Sequence, residues 1–353
     1  KNNTSITIIA LSGLLINRYG IKGNIDLTSF DFAFDNESIH TRTPAFYACY
    51  DSEYDIGHKI NRMWEELEKD IAIFKSDFCF PTGFYSTSGN PLSKPVGSVF
   101  CPSSDLKDVC NLVNALKKNI KLKDKFFIKQ DLQNLVSYHN NYVLYVSKIL
   151  LYTTAYRVIN DPLPALGKIN RRHQLLTITD KDYLDRISTR TIPLTDVFCT
   201  QVGMYIQHVK KLIPSLIAYQ PNIASDIFPA IEKNSLLNIK DISKHGPLFT
   251  LTIKPNGALI SEKVSRNFLE TRICENNPLL KVSAGRHLLK SFLSKKIDNQ
   301  ELVFWFMGHG NYGESPLETR SSFNVNTAKK LLLPTLNELL EDCQWEAIPS
   351  VLN

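Results

Sequence analysis

Apolar residues recur at spacings of three and four from about Asp55 to Phe74, where Ile60, Met63, Trp64, Leu67, Ile71 and Phe74 fall on one side of a helical wheel. That spacing predicts a helix with one buried face. The stretch from Phe78 to Pro102 holds Pro81, Gly83, Gly89, Pro91, Pro95 and Gly97 and cannot sustain a long helix, so it is expected to be a connection. A second helix is predicted from about Ser103 to Lys118. A third, long and buried, is predicted from Asp131 to about Arg157 on the spacing of Leu132, Leu135, Val136, Tyr142, Val143, Val146, Ile149 and Leu150.

Beyond the turn signal Asp161-Pro162-Leu163-Pro164 the period changes. Gln174 to Thr179 and Thr189 to Leu194 alternate as short strands around a polar turn and are expected to pair. A helix from about Val197 to Tyr219 follows. A second hairpin is expected, with Pro255-Asn256-Gly257 turning between Leu248 to Ile253 and Ala258 to Ile260. Helices are predicted at about Ser261 to Ile273, Ala284 to Lys295 and Asn299 to Met307, and a last one from about Thr327, interrupted by Pro334, to about Glu341. The expected class is α+β, mainly helical, with two small hairpins. A chain of 353 residues accommodates about two domains; the division expected is 1–115 and 116–353.

Composition narrows the picture further. Hydrophobic residues at 43% and charged residues at 22% exclude a disordered chain, and no apolar run approaches the roughly 20 residues of a membrane helix. The seven cysteines form no CxxC pair, which fits a reduced, cytoplasmic setting and no structural metal or cofactor. A chain that starts at Lys1 is expected to be a piece of a longer one. The net charge of +6 is modest, but its distribution is uneven. Lys168, Arg171, Arg172 and His173 have no acidic neighbour, and residues 281 to 296 carry Lys281, Arg286, Lys290, Lys295 and Lys296 with no Asp or Glu. Such one-sided basic stretches suit duplex DNA, with Lys168, Arg171, Arg172, Lys281, Lys290 and Lys295 as candidate contacts. The lysines crowded between 117 and 129 read instead as a solvated surface.

Four features gain meaning in order: Thr153-Thr154-Ala155-Tyr156-Arg157, Lys181 in the first hairpin, Ser283-Ala284-Gly285-Arg286-His287, and Met307-Gly308-His309. Over about residues 120 to 345 this order resembles the catalytic domain of tyrosine recombinases, the phage integrase family. That family has an Arg in a T-G-x-R segment ending a buried helix, a Lys in a hairpin turn, an H-x-x-R-H segment, an L-G-H and then a nucleophilic Tyr. The resemblance implies an amino-terminal domain that clamps DNA from the other side. It also implies site-specific integration or excision through a phosphotyrosyl intermediate with no cofactor, and homo-oligomers on DNA. Cleaving a phosphodiester develops charge on the nonbridging oxygens, which two guanidiniums can grip in a paired fashion. By resemblance Arg157 and Arg286 would be that clamp, Lys181 the general acid, and His309 a hydrogen-bond donor or proton-transfer aid. His287 is expected to be a packed supporting residue.

The chain departs from the family pattern twice. Ser283 stands where the family has His; its hydroxyl can still donate to a phosphate oxygen. No Tyr follows Tyr312, and the segment where the nucleophile is expected reads Pro316-Leu317-Glu318-Thr319-Arg320-Ser321-Ser322-Phe323. Four alternatives stay open: Tyr312 is a displaced nucleophile; the natural Tyr has been replaced, with Phe323 the one tempting position, or lost with an absent segment; the protein is a noncatalytic DNA-binding or assembly subunit of a mobile-element or recombination system; or the match is chance in an unrelated helical protein.

Overall fold

The computed structural model describes residues 102–121, 131–158, 166–183, 186–223, 248–271, 282–308 and 324–352, together with positions 49–51, 61, 62, 65, 66, 69, 95–97, 128, 163 and 227. The chain divides into two compact units: residues 1–102 with 290–305 and 309–313, and residues 103–289 with 306–308 and 314–353. In the first unit strands β1 (Cys49–Asp51) and β2 (Pro95–Gly97) pair antiparallel, and Asn61, Arg62, Glu65, Glu66 and Lys69 are helical. The apolar face expected between Ile60 and Phe74 lies outside the described residues.

The remaining described residues are mainly helical with two small antiparallel sheets. Helix α1 (Pro102–Lys121) starts on a proline, which suits a first turn whose N–H has no intrahelical partner. It buries Val109, Leu112, Val113, Leu116 and Ile120. Helix α2 (Leu132–Thr154) is capped by the Asp131 carboxylate, which accepts from the Gln133 N–H at 3.2 Å. From Tyr142 to Thr154 every residue of α2 is buried, the state of a helix at the centre of a core. Helix α3 (Asp196–Tyr219), capped by Thr195, packs on α2 through a face that includes Phe198, Val202, Tyr205, Ile206, Val209 and Ile213. Each such side chain contributes about 1.5–3 kcal/mol when fully buried.

A three-stranded sheet carries the first hairpin in the order β3 (Ile169–Asn170), β4 (Leu175–Tyr183), β5 (Arg186–Pro193). Both arms of the hairpin are longer than the alternation predicts. Backbone pairing continues through the charged tip, where Lys181 faces Ser188 beyond a register shift between Thr179 and Lys181, because ladder hydrogen bonds do not depend on side-chain polarity. The second hairpin, β6 (Phe249–Ile253) and β7 (Leu259–Lys263), turns as expected, with Gly257 at φ 80°. β7 takes Ser261 to Lys263 from the expected helix, which shrinks to α4 (Arg266–Thr271). Helices α5 (Ala284–Lys296), α6 (Gln300–Met307) and α7 (Val325–Asp342) follow. Pro334 lies inside α7 without ending it.

After α7 the chain runs as an extended tail that periodicity does not reveal. From Glu346 to Val351 its backbone is held by side chains of α2 and α3. Tyr145 donates to Glu346 O at 2.6 Å, Tyr142 to Ile348 O at 2.7 Å, and the Ile348 and Val351 N–H groups donate to Gln201 and Tyr138. Lys117 and Lys121 of α1 reach Glu346 at 3.0 and 2.7 Å, which holds its carboxyl below the usual range through those hydrogen bonds. No helix among the described residues is long and apolar enough to cross a membrane.

Candidate functional site

The C-terminal end of α2 is built to turn sharply. Thr153 and Thr154 fold their hydroxyls back onto the carbonyls of Ile149 and Leu150 at 2.8 and 2.7 Å, back-bonds that give the buried hydroxyls a partner within the helix. Ala155 then adopts a left-handed φ of 51°, the conformation for which helix ends favour glycine; the T-G-x-R pattern has glycine at this position. Arg157 follows, half-buried.

Gly285 brings α5 against this end. A Cβ at Gly285 would stand 2.7 Å from Leu151 O and 3.0 Å from Tyr152 Cα, so only glycine permits the approach. The next residue, Arg286, is 2% exposed. Its guanidinium donates to Ala155 O at 2.5 Å and to Met307 O. Segments 153–157, 283–287 and 307–308, far apart in sequence, therefore meet at one guanidinium. Ser283 sits half-buried at the start of α5, its carbonyl accepting from the His287 N–H at 3.1 Å. Burial, reinforced by the adjacent Arg286 charge, pushes the His287 imidazole down to about 4, so it is neutral at neutral pH.

A second buried arginine enters the same place. Arg190 on β5 is 5% exposed and donates to Phe306 O at 2.5 Å and to Ala155 O at 3.4 Å. Sequence reasoning missed it, although a signal existed. Arg190, Ile192 and Leu194 share one face of the alternating strand, so an arginine occupies a position that the pattern reserves for a core residue. Lys181 lies on the partner strand β4 of the same hairpin.

The other candidates separate by environment. Lys168, Arg171 and Arg172 are exposed around the turn that contains β3, and Lys295 is exposed at the end of α5. Lys329 of α7, which sequence reasoning also missed, joins the first group by donating to His173 O at 2.9 Å. Lys290 is fully buried, its ammonium 4.3 Å from the centre of the Phe304 ring, a cation–π contact. Lys281, His309, Tyr312 and Phe323 lie outside the described residues.

Among the described residues no three His, Cys, Asp or Glu side chains gather as a metal site. Tyr138, Tyr142, Tyr145, Tyr152 and Tyr205 are buried, and burial raises the pKa of each. Lys148 is buried in α2, and desolvation lowers its pKa to about 8 against the opposing pull of Glu270. No family model, curated protein or solved structure matches the chain.

Proposed function

We propose that the chain binds duplex DNA as a tyrosine-recombinase-like protein, with residues 116–353 forming the catalytic-type domain and the amino-terminal region clamping the duplex. The observation that carries this reading is the meeting of the Arg157, Arg286 and Gly308 segments at the Ala155 and Met307 carbonyls. Chemistry on a phosphodiester needs cations fixed in place before the charge develops. Arg286, buried and bonded to two carbonyls, supplies a fixed positive charge beside the half-buried Arg157 rather than a direct contact to the phosphate. The exposed Lys168, Arg171 and Arg172 add contacts to flanking phosphates, which set affinity and register but carry no sequence information.

In this reading Arg157 and Arg286 polarise the scissile phosphate and Ser283 donates to one of its oxygens. Lys181 protonates the departing 5′ oxygen, His309 assists, and Tyr312 is the candidate nucleophile. The chemistry requires no cofactor, and the protein acts in the cytoplasm as a homo-oligomer on DNA. A second reading, a noncatalytic DNA-binding or assembly subunit, is favoured by the absence of a Tyr between Pro316 and Phe323, where the family pattern expects the nucleophile.

Covalent trapping separates the two. The protein is incubated with supercoiled DNA, quenched with detergent and examined for protein-linked nicked DNA, with Tyr312→Phe as control. An adduct that vanishes in the control establishes strand cleavage by Tyr312. Salt-dependent binding without an adduct favours the noncatalytic subunit or a missing Tyr, and no salt-dependent binding refutes both.

A further inference from the structure

Arg190 occupies an unusual position for a charged side chain. It lies on the buried face of β5, opposite Ile178 and in line with Ile192 and Leu194. Placing a guanidinium there is costly unless several acceptors meet it. The acceptors are two helix ends: Phe306 O at the end of α6 and Ala155 O beyond the end of α2, both carrying the negative end of a helix dipole. Arg286 uses the same Ala155 carbonyl and takes the next one along α6, that of Met307.

The second contact is steric. Gly308 has φ 66°, and a Cβ built on it would lie 2.7 Å from Arg190 Nη1 and 2.9 Å from Cζ. The guanidinium thus lies directly against the glycine that leads into His309. A single planar group touches the hairpin that carries Lys181, the helix end that leads to Arg157, and the turn before His309. Lysine has three donors on one nitrogen but lacks the planar, fixed fork that sets the directions of both bonds and lies flat against Gly308.

We infer that Arg190 is a positioning residue of the phosphate clamp, tying the Lys181 hairpin and the Gly308 turn to the carbonyl frame that Arg286 shares. This rests on the phosphate-binding function proposed above. The alternative, a helix-end cap that serves stability only, differs in one readout. A cap changes the melting temperature but not the number of phosphates gripped, whereas a positioning residue changes that number.

The test measures affinity of the full chain for a mixed-sequence duplex oligonucleotide between about 50 and 200 mM salt, a range over which phosphate neutralisation dominates the change in binding. Variants are Arg190→Met, Arg190→Lys, Arg286→Met and the Arg190→Met/Arg286→Met double, each checked for folding by circular dichroism. The slope of log affinity against log salt is expected to fall by about 1 to 2 in each single variant, roughly one for each phosphate that the protein no longer neutralises. Arg190→Lys should show the same fall although it keeps the charge. The double variant should fall no further than the deeper single, because both changes dismantle the same clamp. A wild-type slope in Arg190→Met or Arg190→Lys, beside a reduced slope in Arg286→Met, overturns the inference and leaves the DNA-binding proposal standing. Effects that add in the double variant overturn it too, since Arg190 would then grip a phosphate of its own.

If the Arg190 variants do not fold, Gly308→Ala displaces the guanidinium from the other side with every charge kept. A reduced slope there supports the inference, and a wild-type slope overturns it. An unchanged slope in folded Arg286→Met removes the phosphate clamp itself, and the inference falls with it.

Discussion

Acidification should unlatch the C-terminal tail, and the hydrogen-bond chain that holds it specifies how. His139 and His208 are both fully buried, with His139 Nδ1 3.0 Å from His208 Nε2. His139 Nε2 lies 3.0 Å from Phe249 O; a carbonyl only accepts, so that nitrogen carries the proton. His139 Nδ1 must then accept from His208 Nε2–H. His208 Nδ1, 2.7 Å from the Ser350 hydroxyl, in turn accepts from it. Ser350 Oγ also accepts from the Leu352 N–H at 3.2 Å. Protonating either imidazole sets two N–H groups against each other or removes the acceptor for Ser350.

The groups that face this pair are Tyr138, Tyr142 and Tyr205, the Phe249 ring and Ser350. None offers a carboxylate to stabilise a cation. Burial accordingly pushes His139 from its ordinary 6.5 down to about 3, and burial together with the neighbouring ring lowers His208 well below its usual range. The sign follows from linkage: the native state binds the neutral form, so stability is full above about pH 6.5 and is lost as pH falls towards the folded value. Between about pH 7 and 5 the unfolded state gains about 0.7 proton at His139, which costs about 2 kcal/mol, and His208 adds in the same direction.

Urea unfolding followed by circular dichroism across that range measures the effect, with the His139→Gln/His208→Gln double variant as reference. His287 shares the sign of the shift and is present in both proteins, so the difference in pH slope belongs to the pair. The variant is expected to be less stable at pH 7 but flatter with pH by at least ~2 kcal/mol over the range. Equal pH slopes in the two proteins would refute the proton chain.

Ala155→Gly should stabilise the protein by up to about 1 kcal/mol in thermal unfolding, because Ala155 holds a left-handed φ that glycine adopts without steric cost. Gly285→Ala should destabilise by about 1–3 kcal/mol, since its Cβ meets the Leu151 backbone, which cannot swing away as a side chain can; the melting temperature checks this. Tyr142→Phe removes the donor to Ile348 O and the acceptor for Gln201 Nε2 and should cost about 1–3 kcal/mol, with faster protease cleavage in the tail. Replacing Lys168, Arg171 and Arg172 together by Gln should weaken binding to all duplex sequences alike and lower the salt slope by about 0.9 for each phosphate left unneutralised. An unchanged slope would remove this surface from the interface.

Local chemistry carried most of the elements. The Pro255-Asn256-Gly257 turn and the buried spacing along α2 are short-range signals, and that turn and helix stand close to where those signals place them. Pro334 misled because a helix packed through Leu332, Leu336, Leu339 and Leu340 retains its course across one missing donor. The charged tip of the first hairpin and β7 beyond Ile260 were hidden, since a strand's backbone partner is chosen by its neighbour rather than by its own polarity. The tail after Asp342 has no period at all; its place depends on side chains that α2 and α3 present from more than a hundred residues earlier. At the candidate site the sequence determined which residue types were present and in what order. Tertiary structure decided that Arg190 joins Arg286 at Ala155 O and that Lys290 rests on Phe304. An arginine on a buried strand face and a lysine on a helix look alike in one dimension; only the folded chain determines which carbonyl, ring or solvent each one meets.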